Sequence, residues 1–251
     1  MKSSRLFLVG LIAVLAAVGV SAAEVTVFAA ASLSDALKEI APLYTKATGD
    51  TLRMNFGASG ALVRQIKEGA PADVIFSADE LRVDQLDKAG LLWPATRRTL
   101  LVNTLVVVVA TKDGVPVKTL ADLYGADVHR IAIGEPATVP VGTYTQEYLK
   151  KIGTWDLVSA RCVPLDNVRA VLAAVESGNA DVGFVYKTDA LISKQVKVVI
   201  EVPLAEGPKI RYPVAVLKDA KQPEAAKALV TFLAGTDAQK VFAKFGFLQP
   251  N

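Results

Sequence analysis

The chain alternates between short β-branched apolar runs and longer stretches whose apolar residues recur at helical spacing. Val25 to Phe28, Leu52 to Phe56, Val74 to Phe76, Leu105 to Val109, Ile131 to Ile133, Val182 to Val185, Val198 to Val202 and Val214 to Leu217 read as strands. Helix-period segments separate them, which is the order of parallel sheets covered by helices, so the fold class is α/β. Gly49, Gly69, Gly90, Gly153 and Gly178 stand where the helical periodicity stops, the place for a residue that turns left-handed after a helix. Two segments follow one plan: Ile66-Lys-Glu-Gly-Ala-Pro-Ala-Asp-Val74 and Val175-Glu-Ser-Gly-Asn-Ala-Asp-Val182 each end a helix, pass a glycine and enter a strand through Ala-Asp-Val. This echo is either ordinary α/β grammar or the trace of two lobes of like build.

Twice an apolar strand runs into tiny residues ending in serine, with a helical pattern directly after: Val25-Thr-Val-Phe-Ala-Ala-Ala-Ser32 and Met54-Asn-Phe-Gly-Ala-Ser59. Small side chains let a ligand approach the backbone. The serine hydroxyl, the unpaired N–H groups of the first helical turn and the helix dipole all favour an anion there.

Composition narrows the picture. Lys2 and Arg5 precede an uncharged apolar run from Leu6 to Val20, and Ser21-Ala22-Ala23 precedes Glu24. The run is shorter than the ~20 residues of a spanning helix, so residues 1–23 read as a secretory signal peptide cut after Ala23, with a retained membrane anchor as the alternative. No cysteine follows the run to carry a lipid. Removing residues 1–23 from the 251 leaves 228, enough for one large or two modest domains. Loss of Lys2 and Arg5 from the 28 basic residues leaves 26 against 25 acidic ones, a net charge of about +1. Such a scattered, balanced charge does not call for nucleic acid. Cys162 is the sole cysteine, so no intrachain disulfide forms, and its apolar string Arg161-Cys-Val-Pro164 makes it a small buried hydrophobe. His129, the sole histidine, leaves little scope for histidine-based metal sites.

Several strings in fixed order carry a family resemblance: Thr26-Val-Phe-Ala-Ala-Ala-Ser-Leu33, Gly69-Ala-Pro-Ala-Asp-Val74, Thr96-Arg-Arg-Thr-Leu-Leu101 with Asn103-Thr-Leu-Val-Val-Val108, Val139-Pro-Val-Gly142, Asp166-Asn-Val-Arg169 and Val182-Gly-Phe-Val-Tyr-Lys-Thr-Asp-Ala190. The chain resembles the periplasmic molybdate-binding proteins of ABC transporters. The resemblance implies a type II periplasmic binding fold: two lobes, each a mainly parallel sheet covered by helices, joined by two crossovers with the ligand cleft between them. Residues 24–101 plus 213–251 are expected to form lobe 1 and 102–212 lobe 2. The crossovers then lie near Arg97 to Val102 and Lys209 to Pro213, and the C-terminal helices return to the first lobe. It further implies a monomeric, non-catalytic periplasmic receptor, soluble after cleavage and without a cofactor. Its ligand would be molybdate, and tungstate with it, delivered to a membrane permease with its ATPase.

By the same resemblance the anion ligands are Ser32, Ser59, Val141, Val168 and Tyr186. The serines would give hydroxyl and backbone N–H donors, the valines backbone N–H groups and Tyr186 its phenolic O–H. The chemistry is coherent, because molybdate at neutral pH is a deprotonated dianion whose oxygens only accept hydrogen bonds. Each residue also has a plainer reading. Ser32-Leu-Ser-Asp35 has capping-box spacing, Gly-Ala-Ser-Gly around Ser59 is ordinary loop composition, Val141 and Val168 sit where helices start, and Tyr186 ends a strand. Arg64, Arg97, Arg98 and Arg169 are able to pair with an oxyanion, but the resemblance makes them supporting, hinge or surface residues. Two alternatives remain: a sulfate or phosphate receptor in the same fold, and a secreted serine hydrolase using Ser59. The second lacks the Gly-x-Ser-x-Gly elbow and has only His129 as base.

Overall fold

The computed structural model describes residues 22–250; all but the last two residues of the expected leader lie outside the described residues. The chain runs β1 (Glu24–Ala30), α1 (Ser34–Thr48), β2 (Thr51–Gly57), α2 (Ser59–Lys67), β3 (Val74–Phe76), α3 (Glu80–Lys88) and β4 (Arg98–Asn103). It continues through β5 (Leu105–Ala110), β6 (Ile131–Gly134), α4 (Pro140–Lys151), α5 (Trp155–Val158), β7 (Cys162–Leu165), α6 (Val168–Glu176), β8 (Val182–Tyr186), α7 (Lys187–Leu191) and β9 (Val196–Glu201). Last come β10 (Ile210–Val216), α8 (Pro223–Ala234) and α9 (Thr236–Lys244). Every apolar run read from the sequence coincides with a strand, with Val202 and Leu217 one residue past the ends of β9 and β10, and the glycine stops Gly49, Gly69, Gly90, Gly153 and Gly178 all have φ between 68° and 90°. A side chain there would be strained.

Two five-stranded sheets share one plan, β2-β1-β3-β10-β4 and β7-β6-β8-β5-β9. In each, one strand, β10 or β5, runs against the other four. The echoing segments lead into β3 and β8, which hold the same place in their sheets, so the echo reflects two lobes of like build. The chain passes from the first sheet to the second through Thr104 and returns over residues 202–209. Both crossings depart from the expected boundaries, because β4 and β10 stay paired as far as Asn103 opposite Ile210. Val102, Asn103 and Ile210 to Tyr212 therefore belong to the first sheet. Pro213 has no N–H to give, and the ladder shifts register between Tyr212 and Pro213.

The first sheet is backed by α1, α8 and α9, with α9 lying along α1 and Lys244 Nζ 2.7 Å from a Glu39 carboxylate oxygen. Central strands are buried on both faces, as parallel sheets require; β5 and β8 are almost wholly buried. Cys162 opens the edge strand β7 and is only half-buried, so it is less enclosed than the small buried hydrophobe expected from the sequence. Enough of the thiol is enclosed for burial to push its pKa up to about 11.

Candidate functional site

Helix N-termini from both lobes converge on a small cavity. The first lobe lines it with Ala30, Ala31, Ser32, Gly57, Ala58, Ser59 and Ala78, the second with Val139, Pro140, Val141, Asn167, Val168 and Tyr186. Ser32, Ser59, Val141, Val168 and Tyr186, the residues expected from the sequence, thus share one lining. None of the lining side chains carries a charge. Small residues line the first-lobe wall because β1 and β2 end in Ala29-Ala30 and Gly57, which lets the backbone itself form the surface.

The hydrogen bonds around the cavity leave donor protons to spare on Ser59 and Tyr186. Ser59, buried at the start of α2, accepts the Ala78 N–H on its Oγ at 3.0 Å, which leaves its own proton free. Ser32 Oγ lies 3.1 Å from the Tyr212 hydroxyl, and Tyr212 accepts from Asn103 Nδ2 at 3.2 Å. With the Tyr212 proton on Ser32 Oγ, the Ser32 proton is left to point into the cavity. Asn103 Nδ2 also donates to Thr188 Oγ1 at 2.9 Å. This buried network ties the first crossover to the Ser32 turn. Ser32 does not cap its helix: residues Ala31–Leu33 form a 3₁₀ turn and α1 starts at Ser34 without a side-chain cap.

Backbone donors complete the set. Pro140 holds the first position of α4, and the helical ladder begins only with Thr143 N–H to Val139 O, so the Val141 N–H lies ahead of it. The turn is tight because Gly142 lies against the Gly134 carbonyl, where a Cβ has no room. At α6 the Asn167 cap accepts from the N–H groups of Arg169 and Ala170, leaving that of Val168 without an intrahelical partner. Tyr186 ends β8 and is 1% exposed, and its hydroxyl has no hydrogen-bond partner among the described residues. Burial, with Tyr212 next to it, pushes the phenol pKa well above its ordinary value, so Tyr186 keeps its proton and is a donor at any physiological pH. An unpaired buried hydroxyl is costly to the fold.

The lobes touch around this cavity. The Gly60 N–H donates to the Thr138 carbonyl at 3.1 Å across the cleft, and a Cβ on Gly60 would land on that oxygen. Arg82 of α3, 5% exposed, donates from Nη2 to the Ala137 carbonyl at 2.9 Å. Its partner Asp79 is also buried, which raises the carboxyl pKa against the pull of Arg82. Sequence reasoning missed Arg82, which stands in a charged helical stretch. Tyr212 and Asn103 were missed as well, since their partners are remote in the chain.

The other arginines stand apart from the lining. Arg64 and Arg98 are exposed. Arg97 pairs with Glu80, and with Asp84 at 2.6 Å, fastening the segment before β4 to α3. Arg169 sits beside the cavity, 2.7 Å from both an Asp35 and an Asp189 carboxylate oxygen. The hydrolase reading finds no base: His129 is exposed, its backbone N–H donates to Asp181, and the lining holds no histidine. Among the described residues no cluster of His, Cys, Asp or Glu is arranged to hold a cation, and no helix is long and apolar enough to cross a membrane.

The sequence model of the bacterial extracellular solute-binding protein family matches residues 25–248. The chain is 40% identical over 232 residues to the molybdate-binding protein ModA of Escherichia coli strain K12, covering 89% of this chain and 88% of that one. The solved periplasmic molybdate-binding protein of Azotobacter vinelandii superposes with a TM-score of 0.81 at 27% identity, covering 90% of this chain and all of that one. The sulfate-binding protein SubI of Mycobacterium tuberculosis H37Rv superposes with a TM-score of 0.80 at 21% identity, covering 91% of this chain and 88% of that one. Overall shape alone therefore does not choose the anion.

Proposed function

Since the chain belongs to the bacterial extracellular solute-binding protein family, we propose that it captures molybdate, and tungstate equally, between its lobes and delivers it to the permease of an ABC transporter. The observation that carries this reading is the chemistry of the cavity: small, uncharged and lined by donors, with the Tyr186 hydroxyl lacking any protein partner among the described residues. A dianion with four oxygens accepts from Ser32, Ser59, Val141, Val168 and Tyr186 at once. In a closed, water-poor cleft such dipoles hold the charge without a counter-ion. The receptor acts as a monomer in the periplasm, without catalysis or a cofactor.

Selectivity follows from the same donors. Phosphate at neutral pH carries a proton that needs an acceptor, the lining offers no carboxylate, and Ser59 Oγ already receives the Ala78 N–H. Sulfate is a smaller tetrahedron, and donors fixed on helix ends of separate lobes cannot all follow it inward. The identity to ModA supports molybdate over sulfate, whose receptor SubI is similar in fold. Calorimetric titration with molybdate, tungstate, sulfate and phosphate tests the reading. Tight, matched binding of the first two is expected; tight sulfate or phosphate binding without a molybdate response would refute it.

A further inference from the structure

We propose that Arg169 is a clasp that sets how long the cleft stays shut, a positioning residue that acts on the bound anion without touching it; the inference rests on the ligand reading above. Arg169 is the second residue of α6, next to Val168, and its guanidinium meets two further segments that each carry a lining residue. Nε lies 2.7 Å from Asp189 Oδ1, in α7, the helix that Tyr186 precedes. Nη2 lies 2.7 Å from Asp35 Oδ2 in the first turn of α1 and donates to the Ser32 carbonyl at 3.4 Å. One side chain thus joins the Ser32, Val168 and Tyr186 turns.

The two arms differ in kind. Asp189 belongs to the same lobe as Arg169 and is fully buried, with neither carboxylate oxygen in a well-aligned hydrogen bond, so the Arg169 charge is its compensation. That arm persists whether the cleft is open or shut and holds the guanidinium in place. Asp35 and the Ser32 carbonyl lie in the other lobe, and that arm exists only when the lobes meet. Helix stability does not account for Arg169, since a cation in the first turn opposes the helix dipole. Asp35 is well placed for the opposite reason, an anion at the start of α1.

Replacing Arg169 would strand Asp189 and risk the fold, so the test uses Asp35. Asp35→Asn removes the cross-cleft charge pair, and Asp35→Glu restores it. Simple electrostatics predicts that losing a negative charge near the cleft tightens the hold on an anionic ligand; the clasp predicts the reverse. Stopped-flow release of molybdate and of tungstate is expected to be roughly two- to fivefold faster in Asp35→Asn, matching an ion pair of this exposure. The factor should be equal for both anions, smaller at high salt and absent in Asp35→Glu. Unchanged or slower release in Asp35→Asn, or a factor that differs between the anions, overturns the clasp. If the wild type binds neither anion, the ligand reading falls by itself. Solution scattering of the free proteins then decides: a larger radius of gyration in Asp35→Asn than in wild type supports the clasp, and identical curves overturn it.

Discussion

Tyr186→Phe separates binding from folding at a single atom. The hydroxyl it removes is buried and makes no hydrogen bond to any described residue, so the ligand-free protein loses no protein contact. Its melting temperature should hold or rise, because an unsatisfied buried hydroxyl is itself a burden of roughly 1–3 kcal/mol. With molybdate the sign reverses. A hydrogen bond to a charged group contributes about 1.5–3 kcal/mol, which corresponds to a roughly 10- to 150-fold rise in Kd. For wild type at a ligand concentration of about 100 Kd the linked stabilisation is about 2.7 kcal/mol; at the same concentration the variant should retain between about a half and a tenth of it. Thermal melts with and without molybdate, paired with calorimetry, read both effects. Wild-type affinity in the variant, or a ligand-free protein that melts well below wild type, would refute the assignment of this hydroxyl to the anion.

Ser59→Ala should fail on both counts, since it removes a donor to the ligand and also strands the buried Ala78 N–H, lowering free-protein stability by about 1–3 kcal/mol; Val141→Ala, where only the backbone N–H is invoked, should keep wild-type affinity by the same titration. Gly60→Ala should hold the lobes apart, because its Cβ meets the Thr138 carbonyl across the cleft; a penalty of roughly 1–3 kcal/mol against closure is expected, read as a larger radius of gyration with saturating molybdate. Burial pushes the Asp189 carboxyl from its ordinary 3.8 up to about 6, against the opposing pull of Arg169. The folded chain therefore binds this proton more tightly than the unfolded one, and the associated stability is complete below the ordinary carboxyl pKa and lost as pH rises through about 6. Urea melts across that window should show the decline, and Asp189→Asn should remove it.

How far the sequence could be read depended on whether the signal was local. Core strands such as β5 announce themselves because both faces are buried and every position is apolar. Ser32 and Ser59 stood out because each sits at a strand-to-helix junction of small residues, a pattern within a few positions of the chain, whereas Val141, Val168 and Tyr186 came from the family resemblance alone. β7 was missed because it is an edge strand with Pro164 and the exposed Val163, and β4 because it opens with Arg98 and Thr99. The groups that aim the donors were out of reach for another reason. Ser32 and Tyr212 are 180 positions apart and Asn103 and Thr188 are 85 apart, and no local pattern marks such pairs. Arg82 is hidden more deeply still, since a cation in a charged helical stretch is normally solvated and here is covered by the opposite lobe.

The position of β10 bears on the order in which the molecule can be assembled. The second sheet draws on one unbroken stretch, β5 to β9, whereas the first cannot be completed until β10 arrives to lie between β3 and β4. Until some 210 residues of chain are available, β4 has no neighbour in its sheet and β3 presents an open edge. Nascent or truncated chains ending before β10 therefore carry unpaired strand edges, the feature most prone to pairing with other chains. The last quarter of the sequence, remote from most of the cavity lining, is what makes the first half of the molecule a finished surface.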